Sequence, residues 1–220
     1  MEKRKFDLEM EKIYGELNRM IMILDSMIDT LFKGLDDLNL ETTEIIRNMD
    51  ISLYKKVKEL ESKCIEILLL YSPMGKDLRN IITLLTMLED LDRMGRYTYD
   101  ISLEISNIAK VSHSENFNLI KDMSLKVRDM VKKSIDSYIL KDEKIAYSLS
   151  NYDDDVDSLY IKIREKIVQD ISKNMEDPGR GISYILIARY LERMADHAVS
   201  MGDKVIYLTR GEIRIHKILP

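Results

Sequence analysis

The chain has 220 residues, of which 45% are hydrophobic and 33% charged, with only 8 glycines and 3 prolines. Such a composition can fill a packed interior, which excludes a disordered chain, and its shortage of turn residues favours long helices over β architecture. A net charge of −5 without any long basic run leaves no electrostatic footprint for nucleic acid.

Helical periodicity runs from end to end. The first apolar stripe, Phe6, Met10, Ile13, Leu17, Met20, Ile23, Met27 and Leu31, recurs at spacings of three and four and stops at a break near residues 34–39. The opening MEKRKFDLEM has no signal-peptide core, and no run in the chain reaches membrane-spanning length, so a cytoplasmic protein is expected. A second helix is predicted over about 41–71, through Ile45, Leu53, Val57, Leu60, Cys64 and Leu68. Cys64 is the only cysteine, which excludes an internal disulfide; in the stretch CIEILLLY it reads as a small buried hydrophobe. Ser72-Pro73 reads as an N-cap and first-turn proline for a third helix reaching about Lys110.

A loop at 112–116 then separates the halves. Helix four is predicted over about 117–140, on Ile120, Met123, Val127, Met130, Val131 and Ile135. Helix five covers about 143–174, on Leu149, Val156, Tyr160, Ile163 and Ile167. Asp177-Pro178 repeats the cap-plus-proline start, and helix six runs to near Thr209, with Gly211 as its stop. His113 in the loop and His216 in the tail read as solvent residues.

The halves resemble each other. Leu91-Asp92-Arg93-Met94-Gly95-Arg96-Tyr97 aligns with Leu191-Glu192-Arg193-Met194-Ala195-Asp196-His197 at an offset of 192 − 92 = 100. Met49 to Tyr54 aligns with Tyr152 to Asp157 at 153 − 50 = 103. The expectation is an all-α fold of two tandem three-helix bundles, six long helices in all, related by internal duplication. The divisions are a first repeat over 1–111, a second over 117–212 and a tail over 213–220.

Chemistry-bearing residues gather on helices five and six. Glu192 and Asp196 lie one turn apart beside an apolar stripe, and Asp153 and Asp157 bracket Val156 in the same way. Acids four apart share a helix face and repel by a few tenths of a kcal/mol, so something cationic, a basic side chain or a metal ion, should offset the cost. Carboxylates are hard-oxygen ligands suited to magnesium, manganese or iron, with His197 a softer addition. Against this, most such pairs in an acid-rich helical chain are solvated faces, and Arg193 offers plain neutralisation.

The string Ala188-Arg189-Tyr190-Leu191-Glu192-Arg193-Met194-Ala195-Asp196-His197-Ala198, with Val205 to Glu212 after it, resembles the closing helix of the PhoU family. Asp153 to Tyr160 and Ser72 to Arg79 are similar to the same family, and the resemblance spans nearly the whole chain. It implies two tandem three-helix bundles in a cytoplasmic regulator of phosphate uptake and of the phosphate-starvation response. The implied partners are the ATPase subunit of a phosphate ABC transporter and a sensor histidine kinase, while apolar faces on the long helices themselves lead to the expectation of a homodimer. It further implies metal clusters, iron or zinc-like, held by Glu/Asp-x-x-x-Asp motifs from two helices per repeat.

Carried onto this sequence, the second repeat keeps both motifs, in Asp153 with Asp157 and Glu192 with Asp196. The first reads Asp50…Tyr54 and Asp92…Arg96, with Asp100 as a replacement acid. Arg96 would pair with Asp92 or Asp50, leaving one good metal patch, for iron, zinc, manganese or magnesium, and one degenerate patch. Ser200 stands where the family motif has Asn. A non-enzymatic regulator is expected, because neither a phosphate-cradling glycine loop nor a nucleophile–base pair is present. The alternatives are a metal-free helical adaptor and, ranked lower, a carboxylate-bridged dimetal enzyme. The latter wants Glu-x-x-His on two helices, whereas Glu192 and His197 are five apart.

Overall fold

The computed structural model describes residues 2–33, 40–108, 115–173 and 177–212. They form six helices: α1 (Glu2–Lys33), α2 (Leu40–Tyr71), α3 (Lys76–Ile108), α4 (Glu115–Leu140), α5 (Glu143–Ser172) and α6 (Pro178–Arg210). The break at 34–39, the part of the interrepeat loop that holds His113, and the tail with His216 lie outside the described residues. No described helix is long and apolar enough to cross a membrane.

Local chemistry sets several of the helix ends. The Asp177 carboxylate accepts from the Arg180 N–H at 3.2 Å, ahead of Pro178. Gly211 closes α6 in the left-handed region at φ 78°, donating to the Tyr207 carbonyl at 2.9 Å. Asp142 caps α5 by accepting from Lys144 N–H (2.8 Å) and Ile145 N–H (3.2 Å). Ser72-Pro73 does not start α3 as expected. Ser72 instead ends α2 in the left-handed region at φ 43°, donating to the Leu68 carbonyl. Gly75 turns the chain at φ 60°, and only then does α3 begin. A local Ser-Pro signal lost to the conformation that glycine allows two residues later.

Each stripe packs inward, though Leu24 and Ile67 are more deeply buried than the expected Ile23 and Leu68. On α2 it is Ile46, fully buried, that enters the core, while Ile45 is 48% exposed. α1, α2 and α3 pack together, as do α4, α5 and α6, and α3 lies along α6. The last pair is antiparallel: Asp90 meets His197, and Tyr97 stacks on Tyr190 with ring centroids 5.9 Å apart. Met94 and Met194, both fully buried, sit at the crossing. The result is a row, α2–α3–α6–α5, with α1 and α4 together on one side, linked by an Arg128–Asp29 ion pair. One continuous core serves both bundles.

Candidate functional site

Close approach of α5 and α6 builds the site. Gly202 on α6 lets the Ala146 backbone of α5 come so near that a Cβ would lie 3.1 Å from the Ala146 carbonyl oxygen. Val156, fully buried, turns the flanking Asp153 and Asp157 towards α6, where Glu192 and Asp196 stand one turn apart. Asp153, Asp157 and Glu192 are half-buried, whereas Asp196 is exposed at the rim.

Two oxygens stand out. Asp153 Oδ1 and Glu192 Oε2 are buried without a hydrogen-bond partner. The other oxygen of Glu192 accepts from Arg189, whose guanidinium also lies 5.6 Å from the centre of the Tyr160 ring. Burial, then the charges of Asp157 and Asp196, push the Asp153 carboxyl up to about 7. Glu192 also rises to about 7, from burial first and Asp196 second, with Arg189 opposing. Asp157 is raised by desolvation and Asp154, and Asp196 by partial desolvation and Asp157. The acids thus act on one another across the helix pair. Among the described residues, however, no three His, Cys, Asp or Glu side chains stand in ion-enclosing geometry. Arg193, the other neutraliser considered, stays exposed and eases Glu192 and Asp196 only through its field.

The first repeat differs in kind. Arg96 takes the place of Asp196, and its guanidinium lies 3.4 Å from Asp50 Oδ2 and 3.5 Å from Asp100 Oδ1. Of the two acids expected for it, it pairs with Asp50 and not Asp92, and Asp100 joins from one turn along. The same guanidinium lies 5.2 Å from the centre of the Tyr99 ring. Asp50 is raised by burial, with Arg96 opposing. Asp92 is raised by burial and by Asp50, with Lys58 and Arg93 opposing. Asp100 is raised by burial, again with Arg96 opposing. Tyr54, in place of Asp157, is exposed beneath Lys58.

His197, considered as a softer ligand, engages α3 instead. Its Nδ1 lies 3.0 Å from Asp90 Oδ1, while Lys204 donates to Asp90 Oδ2 (2.6 Å) and to the Thr86 carbonyl (2.8 Å). This triad at the seam between bundles, with Asp90 buried and His197 and Lys204 half-buried, was not legible in the sequence. The repeat offset held a partial signal, since it equates Asp90 with Tyr190 and Tyr97 with His197, so that the contacts Asp90–His197 and Tyr97–Tyr190 join equivalent positions of the two repeats.

The sequence model of the PhoU domain matches this chain twice, over residues 17–105 and 120–205. A "Phosphate-specific transport system accessory protein PhoU homolog" of Clostridium acetobutylicum is 29% identical over 213 residues, covering 96% of this chain and 97% of that protein. The relative of the same name from Aquifex aeolicus is 29% identical over 209 residues, covering 95% of each. The crystal structure of PhoU from Pseudomonas aeruginosa superposes with a TM-score of 0.89 at 24% identity, covering 94% of this chain and all of that one. The regulatory protein PhoU from Streptococcus pneumoniae gives 0.87 at 22% identity, over 96% of this chain and all of that one. At these identities the two structures speak for the fold.

Proposed function

The chain belongs to the PhoU family, and from that premise we propose that it regulates phosphate uptake as an accessory protein of a phosphate transport system. Relatives that align with almost its full length bear that accessory name. In this reading it works in the cytoplasm, through contact with the transporter's ATPase subunit and with a sensor histidine kinase, and catalyses no reaction itself.

We further propose that Asp153, Asp157, Glu192 and Asp196 hold a metal ion of the iron, zinc, manganese or magnesium class. The observation that carries this is the pair of buried, unpartnered oxygens, Asp153 Oδ1 and Glu192 Oε2, set beside two further acids. A buried acceptor without a partner costs about 1–3 kcal/mol, more when charged, so such oxygens call for a cation or a proton. A bound ion would supply the positive charge that lets all four carboxyls ionise together. Arg189 keeps Glu192 oriented, and the small Gly202 keeps the two helices at the necessary separation.

The first repeat does not fit a metal. Asp50 and Asp100 already share the fixed charge of Arg96, Asp92 is eased by Lys58 and Arg93, and Tyr54 adds no carboxylate. Metal analysis of the purified chain beside a Glu192→Ala/Asp196→Ala variant tests the site, with retention expected to fall by at least tenfold. Equal retention would sink it. Pull-down with the transporter ATPase subunit tests the regulatory reading, and no binding at any phosphate level would refute it.

A further inference from the structure

The row α2–α3–α6–α5 has α1 and α4 on one side, and among the described residues no helix covers the other. On that open side a stripe runs on from each carboxylate patch towards the turn joining the second and third helices of its repeat. In the first half it follows Arg93, Glu89, Leu85 and Ile82 along α3, opposite Ile65 on α2. In the second it follows Arg193, Arg189, Ile185 and Ile182 along α6, opposite Val168 on α5. These spacings of three and four keep one helix face throughout.

The aliphatic ends of the stripes are exposed in both halves: Ile65 by 51% and Ile82 by 40%, Val168 by 55% and Ile182 by 55%. Val168 follows Ile65 by 168 − 65 = 103, and Ile182 follows Ile82 by 182 − 82 = 100, the offsets that relate the motif acids. Arg193 follows Arg93 by the same 193 − 93 = 100, and both are exposed. Among the described residues neither arginine makes an ion pair or a hydrogen bond, in contrast to Arg96 and Arg189 beside them. A single exposed isoleucine or arginine is ordinary. The same two aliphatics and the same unengaged arginine, held out of the core in two halves with few identities, form a recurring footprint. The antiparallel crossing at Met94 and Met194 relates the two footprints by an approximate two-fold axis.

A two-fold surface is matched by a two-fold partner. We propose that the open face is the docking surface, and that its partner is a two-fold symmetric protein dimer. Each subunit offers one half an aliphatic segment flanked by Asp or Glu, the carboxylate answering Arg93 or Arg193. This rests on the regulator reading, in which the ATPase subunits of the transporter supply the symmetric pair. One chain then engages two subunits.

The experiment titrates the full chain with the purified ATPase subunit and reads the mass of the complex by sedimentation or native mass spectrometry. The variants are Ile82→Glu, Ile182→Glu and the two together, with Arg93→Gln/Arg193→Gln as a second set confined to exposed, unengaged side chains. Helical circular dichroism should match wild type in that second set. The expected result is one chain per two subunits, about tenfold weaker binding in each single variant and in the Gln pair, and loss in the double isoleucine variant. Undiminished binding by the well-folded Gln pair and by the double isoleucine variant, or a complex of one chain with one subunit, overturns the proposal and leaves the regulator reading intact. A wild-type chain that never binds the ATPase overturns that reading and this proposal with it. Self-association abolished by the isoleucine variants assigns the face to a second copy and also overturns it.

Discussion

The carboxylate patch makes the metal-free chain lose stability as the solution turns from acid to neutral. Asp153 rises on folding from an ordinary 3.8 to about 7, and Glu192 from 4.5 to about 7, burial being the larger cause for each. The native chain therefore holds more protons than the unfolded one between roughly pH 4 and pH 7. The stability that this confers is whole below the unfolded values and is lost as pH climbs through about 7. Full burial would give about 1.4 kcal/mol per pH unit. Both groups are partly in water, so screening reduces the effect to about 1 kcal/mol each. Together, about 2 kcal/mol in a chain of this size moves the melting temperature by about 4–8 °C. The assay is thermal melting in chelator at pH 5 and pH 8, comparing wild type with Asp153→Asn/Glu192→Gln. The variant should lose less stability than wild type over that interval, which cancels titrating groups elsewhere. Parallel profiles, or a metal-free wild type that gains stability towards pH 8, would refute the reasoning.

Three further outcomes follow from the packing. Lys204→Met leaves the Asp90 carboxylate, 3% exposed, with His197 alone and should cost about 2–3 kcal/mol in denaturant unfolding; a loss below about 0.5 kcal/mol would place that pair among solvated ones. Gly202→Ala puts a Cβ 2.7 Å from Leu149 Cδ1 and 3.1 Å from the Ala146 carbonyl, so overpacking of about 1–3 kcal/mol should exceed the helical gain of about 1 kcal/mol. Gly15→Ala, with nothing within 4 Å, should instead stabilise by about 0.5–1 kcal/mol, and equal effects of the two substitutions would refute the contrast. Burial pushes the Cys64 thiol up to about 11, so a thiol reagent at pH 8 should label it only at the rate of unfolding.

What the sequence made legible depended on the reach of the interaction. Six helices, the Asp177-Pro178 start and the Gly211 stop rest on contacts within one or two turns, and the chain states them directly. The motif acids were legible because helical spacing puts i and i+4 on one face and because two such pairs, Asp153 with Asp157 and Glu192 with Asp196, fall within the second repeat. Ser72-Pro73 failed because it is also a local signal, and a stronger one, glycine in a left-handed turn, stood two residues on. Ile45 was chosen over Ile46 because adjacent apolar residues leave the phase of a stripe open until a neighbour helix fixes it. The Asp90–His197–Lys204 triad joins positions more than a hundred residues apart, and only the antiparallel setting of α3 on α6 brings them together. Arg96 was legible as a departure, but its choice of Asp50 over Asp92 depended on the α2–α3 distance that Gly95 permits against Leu53, whereas Asp100 stands one turn along its own helix.

The crossing of α3 over α6 carries a consequence for how such a molecule can change over time. Two separate one-repeat chains meeting at that same crossing would be copies of one gene, so every substitution would strike both patches at once. Arg at position 96 would then mean Arg at 196 as well, and neither half would keep its acid. With the halves in one chain, a change at 96 leaves 196 as it was. Position 96 is a cation while 196 is an acid, and the shared methionine seam keeps the two unlike halves in the register of a symmetric pair.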